Sequence, residues 1–180
     1  FSRCYCSSFR TDRGIVSALS GYPGQPTSSI IRYPNKIQNL PGLPKVLKSL
    51  GYATQALYAG DATFFNMSGY FLSAGHDKMI TQLDFKQSSA KTKWGIHDHE
   101  AFNWLFNDLL EKAKSGIPSY TTFLTISSHE PFDVPYHRLE DERLNAFAYT
   151  DDCLGKFVTK LKNSPAWDNL LLLISSDHGD

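Results

Sequence analysis

The chain has 180 residues, 41% of them hydrophobic, which is enough to bury one sizeable core and excludes a disordered chain. Eighteen Lys and Arg residues balance eighteen Asp and Glu residues, so no global field draws the protein to nucleic acid or to an anionic membrane surface. No apolar run approaches the roughly 18–20 residues of a membrane span, and "FSRCYCSSFR" lacks the apolar core of a signal peptide.

In chain order, Cys4 and Cys6 come first. With Cys153 they make an odd number, and the first two are too close for an easy disulfide, so the redox compartment is not readable from them. In "SSFRTDRGIVSALSGYP" a polar segment runs into Thr11 and a predicted helix over 12–20. The N-terminal amides of that helix would face an anion near the Thr11 hydroxyl, and Arg10 and Arg13 add positive charge. Taken alone, Thr11 reads as an N-cap. "GYPGQPTSS" is a glycine and proline loop. A helix over 43–50, a weak strand over 52–58, a helix over 65–74 and a short strand over 78–81 follow, and then an exposed polar segment over 84–93.

"DHEAFNWLFNDLLEKAKSG" reads as a helix capped by Asp98, with Glu100 in its positive first turn, lysines in its last turn and Gly116 ending it. A buried strand over 121–127 precedes a helix over 143–162, where Leu144, Phe147, Ala148, Leu154, Phe157, Val158 and Leu161 form an apolar stripe. The last expected strand covers 169–175. Alternating strands and helices predict an α/β fold in one domain, with a largely parallel sheet covered by helices on both faces. There is no internal repeat and no low-complexity tract.

Ligands of such sheets bind beyond the carboxyl ends of the strands. "TFLTISSHEPF" delivers His129 and Glu130 there, and "LLLLISSDHGD" delivers Asp177 and His178. A carboxylate beside an imidazole suits Zn²⁺ or Mn²⁺; an isolated Asp-His-Gly reads more often as a solvated turn, and its place after an expected buried strand brings the two readings level. A threonine hydroxyl is a poor nucleophile unless a base or metal activates it, and a metal at Asp177 and His178 would do so for Thr11. Other polar groups read as structural. His97 and His99 diverge around Asp98 and are expected to be exposed, His76 and His137 to be surface residues, and Asp151 to lie on the apolar stripe of its helix.

"SSFRTDRGIVSALSGYPGQPTSS", "WGIHDHEAFNWLF", "TISSHEPF", "AYTDDCLGKF" and "LLLISSDHGD", in that order, resemble the lipoteichoic-acid-synthase-type phosphoglycerol transferases. These form part of the sulfatase branch of the alkaline phosphatase superfamily. The resemblance implies one divalent metal, Mn²⁺ first with Zn²⁺, Mg²⁺ or Ca²⁺ as alternatives, and a phospholipid or glycerol-phosphate-bearing envelope substrate. It implies an extracytoplasmic catalytic domain held at the cell membrane by a segment outside this chain. Thr11 matches the nucleophile and a metal ligand, Asp177 and His178 match metal ligands, and His129 matches a histidine facing the substrate phosphate.

On the same resemblance, residues 1–180 are part of one catalytic domain that lacks its first strand, with an acidic metal ligand, and its C-terminal portion. In "FFNM", Phe65 keeps the aromatic substrate-binding role, but Met67 stands where an arginine is expected against glycerol phosphate, which leaves the head group open. Two alternatives remain. "CSSFR" has a Cys and an Arg at the spacing of formylglycine sulfatases, with Ser8 in place of the usual Pro. An inactive envelope domain that binds glycans or a partner is the other.

Overall fold

The computed structural model describes residues 5–87 and 89–179; Cys4 and Asp180 lie outside them. In chain order the elements are α1 (Thr11–Ser20), α2 (Pro34–Ile37), α3 (Leu43–Ser49), β1 (Ala53–Tyr58), α4 (Met67–Ser73), β2 (Lys78–Ile80), α5 (Asp98–Ser115), β3 (Ser119–Leu124) and α6 (Glu142–Lys162). The fold is α/β, with a parallel sheet in the order β2-β1-β3. No helix of the described residues is long and apolar enough to cross a membrane.

The chain divides into two compact units. The first consists of Ala62–Met79 with the described parts of Phe1–Gln55 and Leu172–Asp180; the second consists of Ala56–Asp61 and Ile80–Leu171.

In the first unit, Ile15, Val16 and Leu19 on one face of α1 are buried, as are Ile31, Ile37, Met67, Tyr70 and Phe71. Gly21 ends α1 at φ 62°, its amide donating to the Ser17 carbonyl. Gly14, in mid-helix, has a different purpose. A Cβ built there would stand 1.9 Å from the carbonyl oxygen of Asp177, so the backbone of the 177 segment lies directly on α1. The loop after Gly21 contains a 3-10 turn, Ile30–Arg32, and leads to α2, which has Pro34 in its first turn. Neither was expected from sequence.

α4 starts at Met67 rather than at 65, because Phe65 (φ 49°) and Asn66 (φ 59°) are left-handed within a 3-10 turn, Phe64–Asn66. His76, expected at the surface, is buried. Its Nδ1 lies 2.8 Å from the Phe71 carbonyl oxygen and its ring meets the Phe71 ring edge-on, while burial pushes its pKa down and favours the neutral ring. Asp77 next to it binds Lys48 Nζ at 2.5 Å and accepts hydrogen bonds from the Thr54 amide (3.0 Å) and hydroxyl (2.9 Å).

In the second unit α5 and α6 pack around Leu57, Ile80, Phe102, Leu105, Ala146, Tyr149, Cys153, Phe157 and Leu161. The buried stripe of α6 therefore runs through 146, 149, 153, 157 and 161, and Leu144 and Phe147, expected inside, are exposed. Helical spacing permits either phase, and Asn145 selects between them. Its Oδ1 accepts from the amides of Arg138 and Leu139 and its Nδ2 donates to the Tyr136 carbonyl, tying α6 to the loop before it. That phase leaves Asp151 exposed rather than on the buried stripe, whereas His137 is exposed as expected.

Two strands differ from expectation. β3 ends at Leu124 instead of 127, because the amides of Ile126 and Ser127 donate to the buried Asp98 carboxylate and not to a ladder. No strand forms over 169–175. Leu171 is 80% and Leu173 74% exposed, because apolar β-formers make a strand only when a ladder partner is present, and none of the described strands pairs with them.

Two outcomes are expected from this packing. Gly14→Ala, which would stabilise an open helix by about 1 kcal/mol, should destabilise this chain by roughly 1–3 kcal/mol through overpacking against Asp177. Urea unfolding at equilibrium reads the sign. The second concerns acid. The Lys48 ammonium, with help from Thr54, holds the Asp77 carboxyl down from 3.8 to about 2. Its contribution is complete above the unfolded value and is lost as pH falls through about 2. Asp77→Asn should remove that part of the acid dependence, seen by following thermal midpoints of both proteins from pH 5 to pH 2.

Candidate active site

Thr11 is the first residue of α1, but its side chain caps nothing. Arg10 occupies the N-cap position in an extended conformation, with no side-chain capping bond. The Thr11 hydroxyl goes elsewhere, to His178 Nε2 at 3.2 Å. His178 Nδ1 lies 2.6 Å from the Gly179 carbonyl oxygen. A carbonyl can only accept, so Nδ1 carries the proton in the neutral ring, and the lone pair of Nε2 faces Thr11 and accepts its hydrogen. Asp177 Oδ2 is 3.7 Å from the same Nε2, and both side chains are partly buried. The structure thus brings Thr11 together with Asp177 and His178, more than 160 positions further along the sequence, and it does so because Gly14 admits the 177 backbone against α1.

These three residues fit a divalent cation. A carboxylate oxygen, a hydroxyl oxygen and an imidazole nitrogen whose tautomer is fixed by its other ring atom form a hard-to-borderline donor set suited to Mn²⁺ or Zn²⁺. Among the described residues no group of three His, Cys, Asp or Glu side chains gathers in a metal-binding arrangement.

Around Thr11 the charges divide. Arg13 Nη1 donates to the Pro26 carbonyl at 3.1 Å and its guanidinium lies over Phe9, so it serves the neighbouring loop. Arg10 and Arg32 lie 5.1 and 5.0 Å from the centroid of the Phe65 ring, and Arg10 Nε is 3.4 Å from Asp12 Oδ1. The thiol of Cys6 donates to the Ser8 carbonyl at 3.3 Å, and its sulfur is 4.0 Å from the place a Cβ on Gly179 would take.

His129 belongs to the second unit. It is exposed, its ring centroid lies 5.4 Å from that of Trp94, and its carbonyl accepts from the Phe132 amide at 2.8 Å, closing a turn over "HEPF". Trp94 Nε1 donates to the Glu130 carbonyl at 2.6 Å. The start of this loop is fixed by Asp98. Asp98 is completely buried at the first position of α5 and accepts from the amides of Ile126 (2.9 Å) and Ser127 (3.3 Å) and from the Thr150 hydroxyl (2.7 Å). Asp98 is therefore a tie between α5, α6 and the loop carrying His129, and not the simple cap expected.

The flanking histidines are likewise not both exposed. His97 is buried, and burial, followed by the nearby His99, lowers its pKa. His99 Nδ1 lies at hydrogen-bond distance, 2.6 Å, from the Tyr149 hydroxyl, and burial raises the Tyr149 pKa well above the ordinary phenol range, so the phenol keeps its proton. Arg32 and Trp94 were missed from sequence. Each is a lone residue in a loop, and only the fold shows what it faces.

The sequence model of the sulfatase family matches residues 1–180. The lipoteichoic acid synthase-like protein YvgJ of Bacillus subtilis is 26% identical over 93% of this chain and 28% of its own length. Phosphoglycerol transferase I of Xanthomonas campestris pv. campestris is 25% identical over 73% of this chain and 21% of its own. A solved structure of a protein in the alkaline phosphatase superfamily from Vibrio parahaemolyticus matches with a TM-score of 0.86 and 28% identity, over 94% of this chain and 43% of that one. The chain spans less than a third of these curated relatives and less than half of that solved chain. With an alkaline phosphatase superfamily fold and a family match along its whole length, the chain belongs to the sulfatase family.

Proposed function

We propose that the chain carries the nucleophile of a metal-dependent phosphodiester transferase of the cell envelope, moving a phosphoglycerol group from a glycerol-phosphate-bearing donor. The observation that carries this reading is the contact between Thr11 Oγ1 and His178 Nε2 beside Asp177. A hydroxyl at a helix start faces an imidazole lone pair and a carboxylate, which is the donor set that activates an otherwise weak nucleophile. The names of the Bacillus and Xanthomonas relatives support the choice of phosphoglycerol transfer over other phosphoryl chemistry.

In the first step Thr11 Oγ1 bonds to phosphorus as the bond from phosphorus to the leaving alkoxide breaks. The hydroxyl proton is released and the leaving oxygen takes one up. In the second step an acceptor hydroxyl attacks phosphorus, the bond to Thr11 Oγ1 breaks, and the threonine is regenerated. Asp177, His178 and Thr11 would hold a divalent metal, Mn²⁺ first, which would supply Lewis acidity at the Thr11 hydroxyl and at the phosphate. The His178 ring is held in the required tautomer by its bond to the Gly179 carbonyl. His129 is proposed to donate to a phosphate oxygen or to the leaving alkoxide, and Phe65 to line the head-group site. The membrane attachment and extracytoplasmic location of such transferases belong to this proposal.

Sulfate ester hydrolysis is the second reading, favoured by the place of Cys6 next to Gly179. A phosphodiester chromogen and an aryl sulfate, each offered to the Mn²⁺-loaded protein, separate the two. Expected are phosphodiester turnover, loss of it to background in Thr11→Ala, a phosphoglycerylated Thr11 peptide with a phosphatidylglycerol donor, and unmodified Cys6 by mass spectrometry. Formylglycine at position 6 with aryl sulfate turnover would replace this reading by the sulfatase one. His129→Gln should slow turnover roughly 10²–10⁴-fold while metal content, measured by elemental analysis, stays as in the wild type.

A further inference from the structure

We propose that α3, with α2 and the 3-10 turn before it, forms a face that docks on an anionic lipid surface. The proposal goes beyond the transferase reading and does not rest on it. Along α3 and its C-cap, Leu43, Val46 and Leu50 follow one another at helical spacing and are 41%, 55% and 67% exposed. Pro44, on another side of the helix, is fully buried. Neighbouring backbone fixes that rotation. The Lys45 amide, a donor of the first turn with no partner inside the helix, donates to the Ala74 carbonyl at 3.2 Å, and a Cβ on Gly42 would collide with the same oxygen. α3 therefore cannot turn its apolar stripe inward.

The charge around this stripe has one sign. Every charged residue from position 13 to position 60 is basic, namely Arg13, Arg32, Lys36, Lys45 and Lys48, while most of the acids lie in the second unit. The zero net charge of the whole chain hides this division. Among the described residues only Lys48 of these has a carboxylate partner, Asp77. Lys45 Nζ donates to the carbonyls of Gln38 (3.0 Å) and Leu40 (2.9 Å), which ties α3 to the end of α2 and leaves the charge uncancelled. Lys36 Nζ lies 4.8 Å from the centroid of the exposed Tyr33 ring. Basic side chains beside leucine, valine and tyrosine match the boundary of a bilayer, where phosphates meet acyl chains. An apolar partner would strip water from Arg32 and Lys36 without neutralising them, whereas anionic head groups neutralise them. α3 packs against α1, so docking would bring the helix that carries Thr11 close to the head groups.

Co-sedimentation of the protein with lipid vesicles tests this. Vesicles of phosphatidylserine and phosphatidylcholine in equal parts provide the anionic surface, and pure phosphatidylcholine provides the neutral one. Serine in place of a glycerol head group keeps docking apart from capture of a donor by the candidate active site. Expected is binding to the mixed vesicles that weakens as salt is raised, and none to phosphatidylcholine. Val46→Glu and Leu50→Glu should each weaken it about 10-fold or more, and Lys36→Gln about 5-fold, in variants whose thermal midpoints match the wild type. Leu83→Glu, at an exposed leucine of the second unit, should leave it unchanged. Absence of wild-type binding, or binding that persists undiminished in Val46→Glu and Lys36→Gln, would overturn the proposal. So would a wild-type dimer, seen by sedimentation velocity without lipid and dissociated by Val46→Glu, which would assign the stripe to a second copy of the chain.

Discussion

Backbone-to-backbone contact between α1 and the segment at Asp177 is the constraint on which the candidate site depends. Thr11 is set by where α1 begins, and His178 by where that distant segment lies. Only a residue without a side chain at position 14 lets the two approach so closely. Within a helix such a glycine loses stability relative to alanine. What is gained is the placing of a hydroxyl, an imidazole and a carboxylate within a few ångströms of one another.

Electrostatics in this protein are local. A chain of zero formal net charge exerts little long-range attraction on an anion, so binding relies on short-range placement. The two units treat charge differently. In the first, Arg10 and Arg32 keep their charge near solvent, over an aromatic ring. In the second, Asp98 is buried with three donors and joins two helices and a loop, a structural use of a carboxylate that tolerates burial because both of its oxygens are hydrogen-bonded.

Much of the helical layer was legible in the sequence because helices carry their own punctuation. Gly21 and Gly116 end α1 and α5 as their positions suggest, and α6 differs by one residue at its start. The errors arose where a distant partner decides. Leu144 and Phe147 satisfy helical spacing as well as Ala146 and Tyr149 do, and only Asn145, bound to the preceding loop, chooses between them. The run 169–175 has strand composition without a strand neighbour among the described residues. Thr11 reads as a cap until His178 is seen beside it. Asp177 and His178 were legible as a chemical pair, whereas Arg32 was not, since a lone arginine in "SIIRYP" gives no signal until Phe65 is folded against it.

The contrast between the two described thiols gives a practical means of observing the site. Burial pushes the Cys153 thiol up to about 11, which keeps it protonated at neutral pH, and it sits inside the core of the second unit. Only the thiolate reacts readily with alkylating reagents, so Cys153 should remain inert in the folded protein. Cys6 is partly accessible and adjoins Gly179. A fluorophore introduced through sulfur chemistry at Cys6 would therefore stand close to the segment carrying His178, where its emission reports on changes at the Thr11–His178 contact without substitution of either residue.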